Sequence, residues 1–386
     1  MVEWKTIGEI SSNVFAGGTP STKHEEYYDG DIPWIRSGEI DFNIITKAER
    51  NITKAGYNNS SAKLIRKGSV VMAMTGATVA KSAIVEFETS ANQSVCAIEP
   101  DTSIADYKYV YYYLAKEYFK IKSSAQGALT SLNLAMIKQI EIPLPSLSEQ
   151  ERIVGILDTF TSSIENLKAQ ISLRRKQYEH YRDKLLNLEG KPGVEMKTLG
   201  EIATTKVGPF GSLLHKKDYI KDGIPLINPV HMNNGKIEED CSFSVSNEMA
   251  EQLSNYRLKP EDIVFARRGE IGRCAIVTQK EDGYLCGTGS LIVRFDKKVS
   301  SKYMLYLFLS PFCRNYLEKS AIGGSMLNIN CTIVAKMPIS LPSLEEQSRI
   351  VSILDEFEAS IKNLEAQLEA REKQYEYYRN KLLTFD

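Results

Sequence analysis

The chain has 386 residues, 42% hydrophobic and 25% charged, with a formal net charge of −1, which is long enough for two or three ordinary domains and typical of a globular protein. No apolar run approaches the ~18 residues of a membrane span and the amino-terminal MVEWKTIGEI lacks a signal-peptide core, so no membrane association and a cytoplasmic location are expected. The six cysteines (Cys96, Cys241, Cys274, Cys286, Cys313, Cys331) form no CxxC pair and show no zinc-ligand spacing, which predicts buried thiols rather than a metal or redox site.

The first segment, 1–146, carries 15 Lys/Arg against 16 Asp/Glu. Short β-rich runs such as VVMAM and SAIV alternate there with Gly-rich turns, and YKYVYYYLAKEYFKI reads as helix. Segment 147–190 is predicted to be one long helix. Ser146 is its candidate N-cap, Ser-x-x-Glu at 146–149 fits a capping box, and Gly190, Pro192 and Gly193 end it. Its apolar seam follows 3,4 spacing through Leu157, Phe160, Ile164, Leu167 and Ile171, is interrupted by Arg174, and resumes at Tyr178, Tyr181 and Leu185.

Segment 191–343 is more basic, with 20 Lys/Arg against 16 Asp/Glu. DIVFA and LIVRF read as strands there, and SKYMLYLFLSPFCRNYLEK as helix. Segment 344–386 is a second long helix, capped by Ser343 and acidic, with 6 Lys/Arg against 10 Asp/Glu. Its seam is Leu354, Phe357, Ile361, Leu364 and Leu368, then Arg371, then Tyr375, Tyr378 and Leu382. Apolar residues at this spacing specify helices packed on helices, and about forty residues give a rod of roughly 60 Å.

The two helical segments are copies. PSLSEQERIVGILDTFTSSIENLKAQISLRRKQYEHYRDKLL begins at Pro145 and PSLEEQSRIVSILDEFEASIKNLEAQLEAREKQYEYYRNKLL at Pro342, with the arginine interruption in the same phase. The likeness extends weakly into the globular segments. MVEWKTIGEI is echoed by VEMKTLGEI, GDIPWIRSGEI by DGIPLINPVHM, and GALTSLNL by GGSMLNIN, where Asn133 answers Asn330. The expected architecture is two α/β domains of one fold in tandem, each followed by a long helix. The two helices would pair as an antiparallel coiled coil with pseudo-two-fold symmetry.

Catalytic signatures are lacking: there is no G-x-G-x-x-G, Walker loop, H-E-x-x-H or G-x-S-x-G, and Gly287-Thr288-Gly289 lacks the context of a nucleotide fingerprint. Only four histidines exist, and no supporting constellation surrounds carboxylates such as Asp101 and Glu117. The chain is therefore not expected to be an enzyme by itself. What remains are loops suited to phosphate and base contact. In the first domain these are Thr19 and Ser21 in a Gly-Gly turn, Arg36 and Ser37, Thr75, Thr78 and Lys81, and Asn133. In the second they are Ser212, Lys216 and Lys217, Asn228, the basic Arg267, Arg268 and Arg273, and Asn330.

Taken together, these stretches resemble the specificity subunit of type I restriction–modification systems. The resemblance rests on the LPSL-x-EQ-x-RIV openings of both helices and their RKQYEHYRDKLL and REKQYEYYRNKLL ends, with GGTPS, IPWIRSGEI, GPFGSLL and GIPLINP inside the domains. It implies target-recognition domains at 1–146 and 191–343, each reading half of a bipartite double-stranded DNA site. It also implies helices at 147–190 and 344–386 that dock two modification (methyltransferase) subunits, with restriction subunits joining them. No cofactor would be bound by this chain; S-adenosylmethionine, ATP and Mg would sit on the partner subunits. The alternative from the residues alone is a coiled-coil adaptor without a nucleic-acid role. A stand-alone nuclease would need a metal-binding carboxylate cluster that the sequence does not offer.

Overall fold

The computed structural model describes residues 2–125, 131–238, 243–268, 272–320 and 329–385, apart from the Ser212 side chain. The chain forms two compact units, Met1–Lys168 with Ala366–Asp386, and Ala169–Glu365. Each thus holds one globular domain and a stretch of both long helices, Leu147–Leu186 and Leu344–Leu382.

In the first unit a five-stranded sheet runs in the order Ser11–Ala16, Val95–Pro100, Ser69–Ala73, Ser82–Val85, Ile44–Ile45. Ser69–Ala73, Ser82–Val85 and Val95–Pro100 are buried throughout because both faces are covered. Val70, Met72, Ile84, Cys96 and Ile98 face the helix Tyr107–Lys116, whereas Val71, Ala83, Val85 and Ala97 pack with Ile35, Ile40 and Ile45. A three-stranded sheet, Arg50–Ile52, Tyr28–Ile35 and Ser90–Ala91, and a ribbon of Glu3–Thr6 with Glu141–Leu144 complete the domain.

The second unit repeats this plan. Its larger sheet runs Ala203–Val207, Ser290–Phe295, Ile263–Ala266, Cys274–Ile276, and its smaller one Ser244–Val245, Ile224–Ile227, Leu285–Cys286. The register recurs as well: Ile98 lies opposite Val70 in one sheet, and Val293 opposite Ile263 in the other. The next residue along that strand breaks the likeness. Glu99 accepts from Arg66 at 2.7 Å, while at the equivalent position Arg294 donates to Asp262 at 2.6 Å. An ion pair thus persists at this strand position with the opposite charge on the strand, its partner moving from the Arg66 position to that of Ser69.

Burial along the long helices follows the apolar spacing in part, with Tyr181 and Tyr378 of the expected seam exposed. Leu157, Ile164, Ile171 and Leu354 are buried, and Phe160, Leu167, Phe357, Ile361, Leu364 and Leu368 half-buried. The arginines that interrupt the seam are not bare polar defects. Within the first unit the Arg371 guanidinium lies 5.7 Å from the centre of the Phe160 ring, and within the second Arg174 lies 5.8 Å from that of Phe357. Each such contact contributes about 0.5–1 kcal/mol.

The capping boxes form differently from expectation. The Glu149 and Glu346 carboxylates reach forward to Arg152 and Arg349 instead of back to the N-cap amide. Ser343 caps the Glu346 amide at 3.3 Å, whereas the Ser146 hydroxyl lies against that of Ser148. A guanidinium three residues on offers two charge-assisted bonds, which outweigh one backbone amide.

The helix starts are instead held by a glutamine. Gln150, fully buried, accepts from the Asp106 amide and donates to the Ile104 and Pro145 carbonyls. Gln347 does the same with the Ser300 amide and the Pro342 carbonyl. Two turns further on, Asp158 takes Tyr112 and Lys108, and Asp355 takes Tyr306 and Lys302. A buried amide with all its bonds made is stabilising, and each bond adds about 0.5–1.5 kcal/mol. This clasp fixes each globular domain to the start of the helix that follows it.

Candidate nucleic-acid interface

The candidate loops of each domain converge on one short turn. In the first domain it is residues 91–95. Gly17 and Gly18 donate their amides to the Val95 and Ala91 carbonyls, Asn92 to Ile35, and Met74 to Ser94. A Cβ at Gly17 would lie 2.3 Å from the Ala91 oxygen and one at Gly18 2.2 Å from the Ala62 nitrogen, so only glycine fits. The glycine amides are thus committed to folding rather than offered to phosphate. Thr19 and Ser21, the polar residues of this turn, are half-buried and exposed respectively, and the Thr19 hydroxyl meets Gln93.

Arg36, Ser37, Thr75, Thr78 and Lys81 gather beside this turn. The Thr78 hydroxyl donates to the Ser37 carbonyl at 2.9 Å, tying the two loops together. Arg36 pairs with Glu49 and lies 3.8 Å from Glu39, and Lys81 pairs with Asp41 and lies over the Phe42 ring. An incoming phosphate would exchange with carboxylates already in place. Sequence reading does not single out those carboxylates, although Glu39 stands three residues after Arg36 and its Oε1 accepts the Arg36 amide.

The second domain builds the same junction around residues 286–290. Gly208 donates to Ser290, Gly287 to Ile227, and Arg267 to Gly289, each at 2.9 Å. A Cβ on Gly287 would stand 2.2 Å from the Asn228 side-chain oxygen, and one on Gly289 3.0 Å from Pro229. The Gly-Thr-Gly turn is therefore the hub on which the 208, 228 and 267 loops pack. Here Asn228 replaces Arg36, and its amide donates to the buried His231 where Arg36 used Glu39.

Arg268 and Arg273 are exposed and Arg267 is half-buried; burial and the adjacent Arg268 cation lower the Arg267 guanidinium from its ordinary value. Residues 269–271 of this loop lie outside the described residues. Lys216 and Lys217 are exposed on a short turn braced by the His215 amide bonded to Asp218. Ser212 belongs to the Gly211–Leu213 turn.

Asn133 and Asn330, matched in the sequence as candidate readers, are helix N-caps. Asn133 accepts from the Met136 amide and Asn330 from the Ile333 amide, each at 2.9 Å. Their equivalence is thereby explained by folding. They still flank the loops, since Leu132 donates to the Met74 carbonyl and Ile329 to that of Arg267. The GALT and GGSMLN stretches before them, at 127–130 and 323–328, lie outside the described residues. Among the described residues no three His, Cys, Asp or Glu side chains group to hold a metal ion, and no helix is long and apolar enough to cross a membrane.

Comparison with known proteins fits this two-fold plan. A family model described as the type I restriction modification DNA specificity domain matches residues 1–174 and again 192–371. A type I restriction enzyme specificity subunit of Escherichia coli is 29% identical over 409 residues, covering 100% of this chain and 94% of its own length. Among solved structures, a chain from work on complex assembly and conformational transition of the type I R-M system superposes with a TM-score of 0.66 at 18% identity, covering 100% of this chain and 98% of its own. An S subunit of a type I restriction-modification system from M. genitalium gives 0.59 at 17% identity, with 100% and 97% covered. At these identities the structures speak for the fold: tandem domains of mixed α/β content with long helices.

Proposed function

Because the chain belongs to the type I restriction modification DNA specificity family, we propose that its two globular domains each read one half of a bipartite duplex site. Specificity subunits are the non-catalytic component of their systems, so methyl transfer and cleavage fall to partner subunits. The adaptor reading without DNA has no support, since both domains match a DNA specificity domain.

The observation that carries this reading is the conserved hub with unlike loops. The same turn, held by the same backbone bonds, presents Thr19, Arg36 and Thr75 in one domain and Phe210, Asn228 and Arg268 in the other. A rigid scaffold with divergent loops is what two different base sequences require. Hydroxyls and cations would position the phosphates, and groove contacts would specify the bases.

The helices complete the proposal. Contacts run in opposite sense along them: Phe160 stacks on Tyr378 and Lys168 pairs with Glu372 in the first unit, and Arg175 pairs with Glu365 and Tyr181 stacks on Phe357 in the second. This supports an antiparallel coiled coil with pseudo-two-fold symmetry, whose length would set the spacer between half-sites. The two matching helix copies would dock two methyltransferase subunits, with restriction subunits joining in the cytoplasm. S-adenosylmethionine, ATP and Mg would be held by those partners, and no cofactor by this chain.

The test is DNA binding by this chain assembled with its modification subunits. Scrambling either half-site should abolish tight binding, while changing only the spacer sequence at constant length should leave it intact. Indifference to scrambling both halves would overturn the proposal.

A further inference from the structure

The loops on the second hub carry two large apolar side chains that the fold does not use. Phe210 is 60% exposed and Val230 63%. Both belong to the loops that meet at Gly287-Thr288-Gly289: the Gly208 amide fixes one, and Pro229, packed against Gly289, fixes the other. Gly211, with φ of +64° and open space around it, turns the chain immediately after Phe210. Arg267 is tied to the same turn through its amide on Gly289, and the exposed Arg268 follows it.

We propose that Phe210 and Val230 recognise thymine through its 5-methyl group in the major groove of the half-site taken by the second domain. This rests on the chain being a DNA-specificity subunit. In the major groove every base edge offers hydrogen-bond donors or acceptors, but thymine alone adds an apolar group, and apolar side chains are its natural match. Phe210 and Val230 have no hydrogen-bonding group to offer any other edge. Exposed apolar surface of this size gains nothing for folding, so its place among cationic loops calls for a ligand that is both anionic and locally apolar. The first domain supports the assignment by contrast. The equivalent positions are Thr19, two residues after Gly17, and Gly38, two residues after Arg36; neither carries a large apolar side chain. The apolar pair is thus specific to one domain and therefore to one half-site.

The experiment uses the full chain assembled with its modification subunits and the duplex site defined by its methylated adenines. Each thymine of the second-domain half-site is replaced singly by deoxyuridine, which removes only the methyl group. At least one replacement should weaken binding about three- to five-fold, the scale of one buried methyl. Phe210→Ala should weaken binding to the unmodified site and lose the sensitivity to that same replacement. Phe210→Leu should retain part of it, and replacements in the other half-site should act equally on both proteins. If scrambling the half-site abolishes binding but no uracil replacement matters, or if Phe210→Ala keeps the full sensitivity, this inference fails while the specificity role stands. If 2-aminopurine beside the sensitive step brightens on binding only with Phe210 present, the ring is a wedge between bases, which also overturns methyl recognition. If scrambling has no effect, the underlying reading fails first.

Discussion

In the first domain Gln150 and Asp158 hold the Asp106 amide, Tyr112 and Lys108; in the second Gln347 and Asp355 hold the Ser300 amide, Tyr306 and Lys302. At the hub loops the comparison reverses. Arg36 with Glu39 becomes Asn228 with His231, Met74 becomes Arg267, and Thr19 becomes Phe210. Between the two lies the pair Arg66–Glu99: Arg294 stands where Glu99 does and also makes an ion pair, but with Asp262, which occupies the position of Ser69 and not that of Arg66. The Gln and Asp contacts between domain and helix recur at equivalent positions, the ion pair on the sheet recurs only in kind, and the loop ends recur in neither sense. That gradient is expected if the helices serve two equivalent partners while the loops serve two unlike sequences.

The largest effect that can break this comparison lies in the clasp. Gln347→Leu removes the bonds to Ser300 and Pro342 and leaves a buried amide and carbonyl without partners, at a cost of about 2–4 kcal/mol. Gln150→Leu should cost as much or up to ~1 kcal/mol more, because Gln150 makes the two equivalent bonds and a third to the Ile104 carbonyl. Denaturant unfolding of the full-length variants reads both, and a silent change on either side would show that the clasps are not equivalent.

A smaller effect sharpens the middle of the gradient. Burial pushes the Glu99 carboxyl up, but hydrogen bonds from Arg66 and Asn13 outweigh it and leave it below the usual carboxylate range. The folded value thus lies under the unfolded one of about 4.3. Its stabilisation is complete above that pH and is lost as pH falls through the lowered value. Glu99→Gln should melt earlier than the parent near neutral pH, with the gap closing as the solution is acidified below the ordinary carboxylate range. A gap that stays constant with pH would mean the Glu99 charge does not stabilise the fold.

Much of the architecture was legible because repeats and heptads are patterns of many residues at once. The seam from Leu157 to Ile171 and its copy from Leu354 to Leu368 needed no tertiary knowledge. The strands VVMAM and DIVFA were equally plain, being continuous apolar runs. The clasp was hidden, since Gln150 and Gln347 read as solvated polar residues in an acidic first turn, and burial is set by what packs above them. The hub was hidden for a related reason. Gly17 and Gly18 look free to cradle phosphate, and only the closeness of Ala91 and Ala62 shows them committed. Asn133 and Asn330 could have been recognised, because each stands directly before a short helical run, the ordinary place of an N-cap. Phe210 and Val230 carried no signal, because exposure of a large apolar residue cannot be read from its neighbours in sequence.

The central claim is that each domain reads its own half-site independently of the other. The most direct measurement replaces residues 1–146 by the corresponding domain of another specificity subunit and maps methylated adenines made by the assembled complex. The account predicts that one half of the methylated sequence changes while the other half and the spacer length stay as they were. Methylation unchanged in both halves, with assembly intact, would contradict it.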